Sequence, residues 1–179
     1  MGKIRLVCCY IEDRIHNETI LAIEQHWGDA NYHVLSADDP QAYAKTLNLY
    51  WRSGEGLFVV EPDIVIRADV VEAALYCDCQ YGCYPYPWLT DVGPALGCTW
   101  FRGSFTRKHP KAIEEALQAR ITWKQFDVYL MRNILARQHK EQPHVHLPQV
   151  EHLNPAKQLL PDANPQPLME VPTGIGNYF

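Results

Sequence analysis

No stretch of the 179 residues is both apolar and long enough to cross a bilayer. The N-terminus, Met1-Gly2-Lys3-Ile4-Arg5-Leu6-Val7, runs directly into a strand pattern rather than a signal peptide. Gly2 does not open an acylation signal, because the sixth residue is Leu6 where Ser or Thr is needed. The expectation is a soluble, cytoplasmic protein with no membrane partner. Long basic blocks are also missing, and the net charge of −5 gives the surface no general hold on a nucleic-acid backbone. The densest basic cluster, Arg102, Arg107, Lys108, His109 and Lys111, is expected as a solvated loop ahead of a helix, with phosphate or acceptor binding as the alternative. A GxSxG nucleophile elbow, a glycine-rich phosphate loop near the start and a second acidic cluster are all absent. These absences weigh against a serine hydrolase, a nucleotidyltransferase and a two-metal nuclease or phosphohydrolase.

Paired CxxC motifs are lacking as well, although there are six cysteines. Cys8 and Cys9 are neighbours on a strand and point to opposite faces, so they do not readily share a metal. Cys77, Cys79 and Cys83 could offer three thiolates to zinc, with Cys98, Cys8 or a histidine completing the site through the fold. The alternative is free thiols in a reducing compartment. A zinc-stabilised interaction module built on Cys77, Cys79 and Cys83 is the main non-enzymatic reading, and it leaves the acids in the middle of the chain unexplained.

What the chain does have is enough apolar content, 47%, for one full core, arranged in alternating elements. Ile4 to Ile11 reads as a buried strand, Glu18 to His26 as a helix and Tyr32 to Ser36 as a second strand. Asp38-Asp39-Pro40 resembles a helix cap with proline at the first helical position, opening a helix that ends near Gly54. Gly56 to Ile66 is the third strand region, followed by a helix from Asp69 to Leu75. Gly82-Cys83-Tyr84-Pro85-Tyr86-Pro87-Trp88 suits only an edge strand or an ordered loop. Ala95 to Phe105 reads as a strand, Ala112 to Ala119 and Trp123 to Arg137 as helices, and His144 to Asn154 as a strand interrupted by Pro148. The fold class is α/β: a mixed, mostly parallel sheet flanked by helices. One domain is expected over residues 1–154, with a proline-rich tail over 155–179.

The third strand region carries the most informative residues. Gly56-Leu57-Phe58-Val59-Val60 runs into Glu61-Pro62-Asp63 and then Ile64-Val65-Ile66. On an extended chain Glu61 and Asp63 emerge on the same side, and Pro62 places the step at a strand end or sheet edge. Two carboxylates there could hold a divalent cation. At the ends of the first two strands, Tyr10 could stack on a base and Asp38 could bind base or ribose hydroxyls, since parallel sheets bind ligands at the carboxyl ends of their strands.

This order of features resembles GT-A type glycosyltransferases, over roughly residues 3 to 154. Phe58-Val59-Val60-Glu61-Pro62-Asp63-Ile64-Val65-Ile66 is similar to an apolar strand leading into the family's DxD motif, with Glu in place of the first Asp. Gly93-Pro94-Ala95-Leu96-Gly97-Cys98-Thr99-Trp100-Phe101 is similar to the later small-residue turn and aromatic strand. The resemblance implies a half-Rossmann N-terminal part and a nucleoside diphosphate sugar as donor. It also implies a Mn²⁺ or Mg²⁺ ion held by Asp63, Glu61 and a late histidine, His152. Tyr10, Ile11, Asp38 and Glu61 would line the donor. Asp127, one helical turn beyond Trp123, is the leading candidate for the base that receives the acceptor's proton, with Asp91 the second choice. The small size looks like that of small bacteriophage glycosyltransferases, some of which decorate modified bases in DNA, so a modified nucleic acid joins small molecules, glycans and protein side chains as a candidate acceptor. A metal-dependent phosphohydrolase could use the same Glu61, Asp63 and His152.

Overall fold

In strand β1 (Ile4–Ile11) successive side chains enter two different cores. Leu6 and Cys8 join one apolar cluster, while Val7 and Cys9 join the other. That is the signature of a strand covered on both faces, and it follows from the period-2 alternation of an extended chain. The computed structural model describes residues 3–85 and 96–153. The expected tail, Asp91 and residues 86–88 of the aromatic segment lie outside the described residues.

The described residues form a six-stranded sheet ordered β2-β1-β3-β6-β5-β7 and a two-stranded ribbon, β4-β8. Strands β2 (Asn31–Leu35) and β3 (Gly56–Val60) flank β1, and both pair parallel to it. β6 (Cys98–Phe101) runs antiparallel to β3 on one side and to β5 (Tyr81–Cys83) on the other. β7 (His144–Val145) is parallel to β5, so β6 alone runs against the others, as the mixed, mostly parallel reading requires. Chain order moves outward to β2 on one side of β1 and then to β3 on the other. The carboxyl end of the β1–β3 junction is therefore a topological switch point, where open α/β sheets form ligand crevices.

Helices cover both faces. α1 (Asn17–His26) buries Thr19, Ala22 and Ile23 at helical spacing. With α3 (Ala68–Tyr76), which buries Val70, Val71 and Ala74, it packs on the face of Leu6, Phe58, Val60 and Trp100. The opposite face, with Val7, Leu57, Val59 and Phe101, takes α2 (Ala42–Arg52), α4 (Gly103–Lys108), α5 (Ala112–Gln118) and α6 (Trp123–Val128). α6 continues as a π-helical segment, Tyr129–Gln138, whose last backbone bond runs from His139 N–H to Ile134 O, five residues back. No helix among the described residues is long and apolar enough to cross a membrane.

Several elements differ from their sequence reading. α2 begins at Ala42, past Pro40; Asp39 Oδ1 accepts from Gln41 N–H at 2.9 Å in the turn before it, and Asp38 caps nothing. The helix stops where expected, with Gly54 at φ +71° just beyond its end. The third strand region divides: Ile64 N–H donates to Glu61 O at 3.2 Å, closing a β-turn with Pro62 at its second position. The apolar residues beyond it then form β4 (Ile64–Val65) in the separate ribbon. β5 is an interior strand rather than an edge, because Gly82 leaves room for the Trp100 indole to lie over it; a Cβ there would sit 2.4 Å from Trp100 Cζ2. The strand expected through Phe105 ends at Phe101. The basic cluster is a helix and its flanks instead of a solvated loop. Within it, Arg107 Nη1 donates to Gly54 O at 2.6 Å, while Lys108 Nζ and His109 Nε2 both meet Glu141 Oε1, at 2.5 and 2.9 Å.

Arg102, directly after β6, reaches back under α3. Its guanidinium donates to Ala74 O at 2.7 Å, Leu75 O at 3.1 Å and Cys79 O at 3.4 Å, and to Cys77 O as well. Ala74 O and Leu75 O are among the carbonyls that the end of α3 leaves without intrahelical partners, and a cation is favoured beside them.

Candidate active site

The carboxyl ends of β1, β2 and β3 gather the sequence-selected residues at one edge of the sheet. Tyr10 is half-buried near the end of β1, on the alternation shared with Cys8, and Ile11 closes the strand on the other face. Asp38 lies exposed in the turn after β2, its N–H directed to Ser36 Oγ at 3.3 Å. Glu61 continues the β3–β6 pairing by one bond, from its N–H to Gly97 O at 2.9 Å, before the chain turns at Pro62. Asp63 follows as the third residue of that turn, so the two acids are set by turn geometry, not by the shared face of a continuous strand.

Asp63 meets His152 across the ribbon. β8 (Glu151–His152) pairs antiparallel with β4, with Ile64 opposite His152, and Leu153 N–H donates to Asp63 O at 2.8 Å. This pairing holds His152 Nε2 3.4 Å from Asp63 Oδ2. Burial lowers the pKa of His152, the Asp63 carboxylate opposes that shift, and His16 adds to it. The imidazole is therefore neutral at neutral pH and the contact is not a full ion pair. A neutral imidazole and a carboxylate facing each other suit either a shared proton or a cation. A small hard cation bound at about 2.1 Å sets adjacent ligands about 3 Å apart, close to the observed separation, so Asp63 and His152 fit such an ion.

Glu61 does not join Asp63 and His152 in a set of three ligand atoms mutually within 4.8 Å. Its field and that of Asp63 still reach Cys8, whose thiol is pushed up to about 12, mainly by burial and further by the two acids. Sequence reasoning missed His16. It sits in the connection after β1, donates its N–H to Pro62 O at 2.9 Å, and lies near enough to His152 to influence its charge. Its position just beyond a parallel strand's carboxyl end was the available signal.

Asp127 lies in α6, on the other face of the sheet. The neighbouring Phe126 packs edge-on against Tyr43 at 5.7 Å, in the first turn of α2. Because α2 starts at the carboxyl end of β2, α6 approaches the same edge of the sheet as Asp63. Asp127 is buried, and its Oδ1 has no hydrogen-bond partner among the described residues. Burial raises its pKa to about 6, with backbone N–H groups of Val128 and Asp127 pulling the other way.

The cysteine reading changes in composition. Cys77 and Cys79 converge with His144 and His146, not with Cys83. Cys83 is buried in β5, one alternation away from Gly82, which faces Trp100; Cys77 and Cys79 pack on the Trp100 face. The missed signal was the spacing of His144-Val145-His146, which repeats that of Cys77-Asp78-Cys79.

No protein-family model matches the chain, and no curated protein matches it. Two solved structures share its fold. The crystal structure of A197 from STIV superposes with a TM-score of 0.52 at 15% identity, covering 83% of each chain. The crystal structure of a glycosyltransferase involved in the glycosylation of the major capsid of PBCV-1 superposes with a TM-score of 0.52 at 11% identity, covering 80% of this chain and 81% of that one. At such identities the likeness is one of fold.

Proposed function

We propose that this chain is a GT-A type glycosyltransferase that moves a sugar from a nucleoside diphosphate sugar to an acceptor hydroxyl. The observation that carries the reading is the meeting of Asp63 and His152 at 3.4 Å beside the switch point of the sheet, delivered by segments far apart in sequence. Asp63 and His152 would hold a Mg²⁺ or Mn²⁺ ion, which would stabilise the charge that builds on the departing diphosphate. Tyr10 would stack on the base, Ile11 and Asp38 would border the nucleoside, and Glu61 would accept hydrogen bonds from the donor beside the metal. Asp127, its pKa raised to about 6, is suited to accept the acceptor hydroxyl's proton near neutral pH. Asp91 is kept as the alternative base.

The basic cluster after β6 supports an acceptor that is not polyanionic. Arg102, Arg107, Lys108 and His109 are engaged in internal contacts, which leaves them little to offer a nucleic-acid backbone. A hydroxyl on a small molecule, a glycan or a protein side chain fits better than one on a modified DNA base.

The test is thermal or denaturant stability with a panel of nucleoside diphosphates, with and without Mn²⁺ or Mg²⁺. A ligand at a hundredfold its dissociation constant adds about 2.7 kcal/mol. Asp63→Ala is expected to abolish the metal-dependent part of that gain while leaving the unliganded protein folded. If no nucleotide stabilises the wild type in a metal-dependent way, the transferase reading fails; an undiminished gain in Asp63→Ala removes Asp63 from the site.

A further inference from the structure

Four metal-binding side chains converge away from the Asp63 site. Cys77 and Cys79 lie just past α3, His144 opens β7 and His146 follows it, and one ligand atom from each lies within 4.8 Å of the other three. Both pairs have i, i+2 spacing, which on extended backbone turns two side chains to the same face. The parallel register of Gly82 with His144, and a bond from His146 N–H to Cys83 O at 2.9 Å, fix the histidine pair to β5. The histidine ring centroids lie 4.3 Å apart with the planes tilted by 45°, and His146 lies against Trp100 at 4.9 Å.

The distances and chemistry suit one metal in particular. Zinc bound at 2.3 Å to sulfur and 2.0–2.1 Å to nitrogen sets a tetrahedral S–N edge of about 3.5 Å. Cys77 Sγ lies 3.4 Å from His144 Nδ1. A sulfur hydrogen bond would account for that contact alone. It would not account for His146, whose Nε2 is buried with no hydrogen-bond partner among the described residues. Arg102 holds the Cys77–Cys79 turn by its carbonyls. Thiolate with imidazole selects zinc over the hard cations expected at Asp63.

We propose that Cys77, Cys79, His144 and His146 bind one zinc ion as a closed Cys₂His₂ structural site tying the end of α3 to the sheet-edge strand β7. Each cysteine gives up its thiol proton to solvent as its sulfur bonds the ion. Four protein ligands leave no open position for a substrate, so the role is to hold the fold together. The site does not depend on the transferase reading, since it shares no ligand with Asp63 and His152.

The test is metal analysis of the full chain, untagged and purified with reducing agent. The wild type is expected to retain about one zinc per chain after zinc loading and buffer exchange. Cobalt exchanged into the site should show thiolate-to-metal charge transfer and the intense visible bands of a tetrahedral centre. Cys79→Ser and His146→Asn should each weaken zinc retention more than about tenfold, since even losing a partner that only orients a ligand costs 10–100-fold. Asp63→Ala should keep its zinc. A wild type that retains no zinc, a cobalt spectrum without sulfur charge transfer, or full retention in both variants would overturn the proposal, and the wild-type measurements decide it even where a variant does not fold.

Discussion

Replacing Asp127 by Asn should make the protein more stable at neutral pH and leave it no more stable at pH 4. Asp127 is 4% exposed, and its pKa rises from 3.8 to about 6 on folding, chiefly through burial. At 1.36 kcal/mol per unit, that shift of about two units is worth about 3 kcal/mol. The sign follows from proton uptake. Between pH 4 and 6 the folded state holds the Asp127 proton more tightly than the unfolded state, so stability from this group is full below about pH 4 and is lost as pH rises through about 6. Asparagine, which never ionises, escapes that loss. Its advantage should grow from nothing at pH 4 to about 3 kcal/mol at pH 7.5, less a constant amount for any amide hydrogen left without a partner. Urea unfolding followed by circular dichroism at half-unit pH steps reads this as a midpoint gap that widens by about 1 M or more, for a urea slope of about 2 kcal/mol/M. A gap independent of pH, or one that closes as pH rises, would mean that the ionised carboxylate has a stabilising partner in the fold and would refute the reasoning. If Asp127 is the base of the proposed transfer, the same variant should lose that activity by about 10²–10⁴-fold, the usual contribution of a positioned base. Greater stability with lost activity would mark Asp127 as a group retained for chemistry.

Gly82→Ala should destabilise by about 1–3 kcal/mol, lowering the melting temperature by several degrees, because the new methyl would lie 2.4 Å from a fully buried indole ring with no room to retreat. Arg102→Ala should cost about 2–4 kcal/mol in urea unfolding, because it leaves the carbonyls at the end of α3 without their charged donor. Arg102→Lys should recover only part of that loss, since a single ammonium cannot span the carbonyls that the guanidinium fork reaches together; full recovery would show that charge alone is what matters there.

The first half of the fold was legible because each local pattern there agrees with its tertiary role. β1 came out with the bounds read from its sequence, and α1, β2 and α3 lie within a residue or so of theirs. The split after Val60 was hidden because Ile64 and Ile66 are as apolar as a continuing strand, and only Pro62 marked the turn. β5 looked like an edge because an aromatic, proline-rich flank suits one. Its interior place depends on the missing side chain of Gly82 opposite Trp100, a contact between distant segments that no local pattern records. α4 was lost for a similar reason: its basic residues looked solvated, but their partners, Gly54 O and Glu141, come from other segments. At the candidate site, Asp63 and His152 could be paired only by analogy with a family, because an antiparallel pairing of two-residue strands has almost no sequence signature. Cys83 was grouped with Cys77 and Cys79 by proximity along the chain, whereas strand alternation sends it to the other face.

Apart from the zinc site proposed at β7, the return segment that carries both β7 and β8 is fastened lightly. After the π-helical segment, each strand pairs over only two residues, with single backbone bonds from His146 N–H to Cys83 O, Val150 N–H to Pro85 O and Leu153 N–H to Asp63 O. Such a strap can detach by local opening well below the free energy of global unfolding, and its amides should exchange with solvent sooner than those of β1 and β3. Detachment would carry His152 away from Asp63 and draw Val150 out of the core on that face, while the pairing of β1 with β2 and β3 stays intact. Mild denaturant would then silence the site before the protein unfolds, and the stability that matters for activity would be that of the strap.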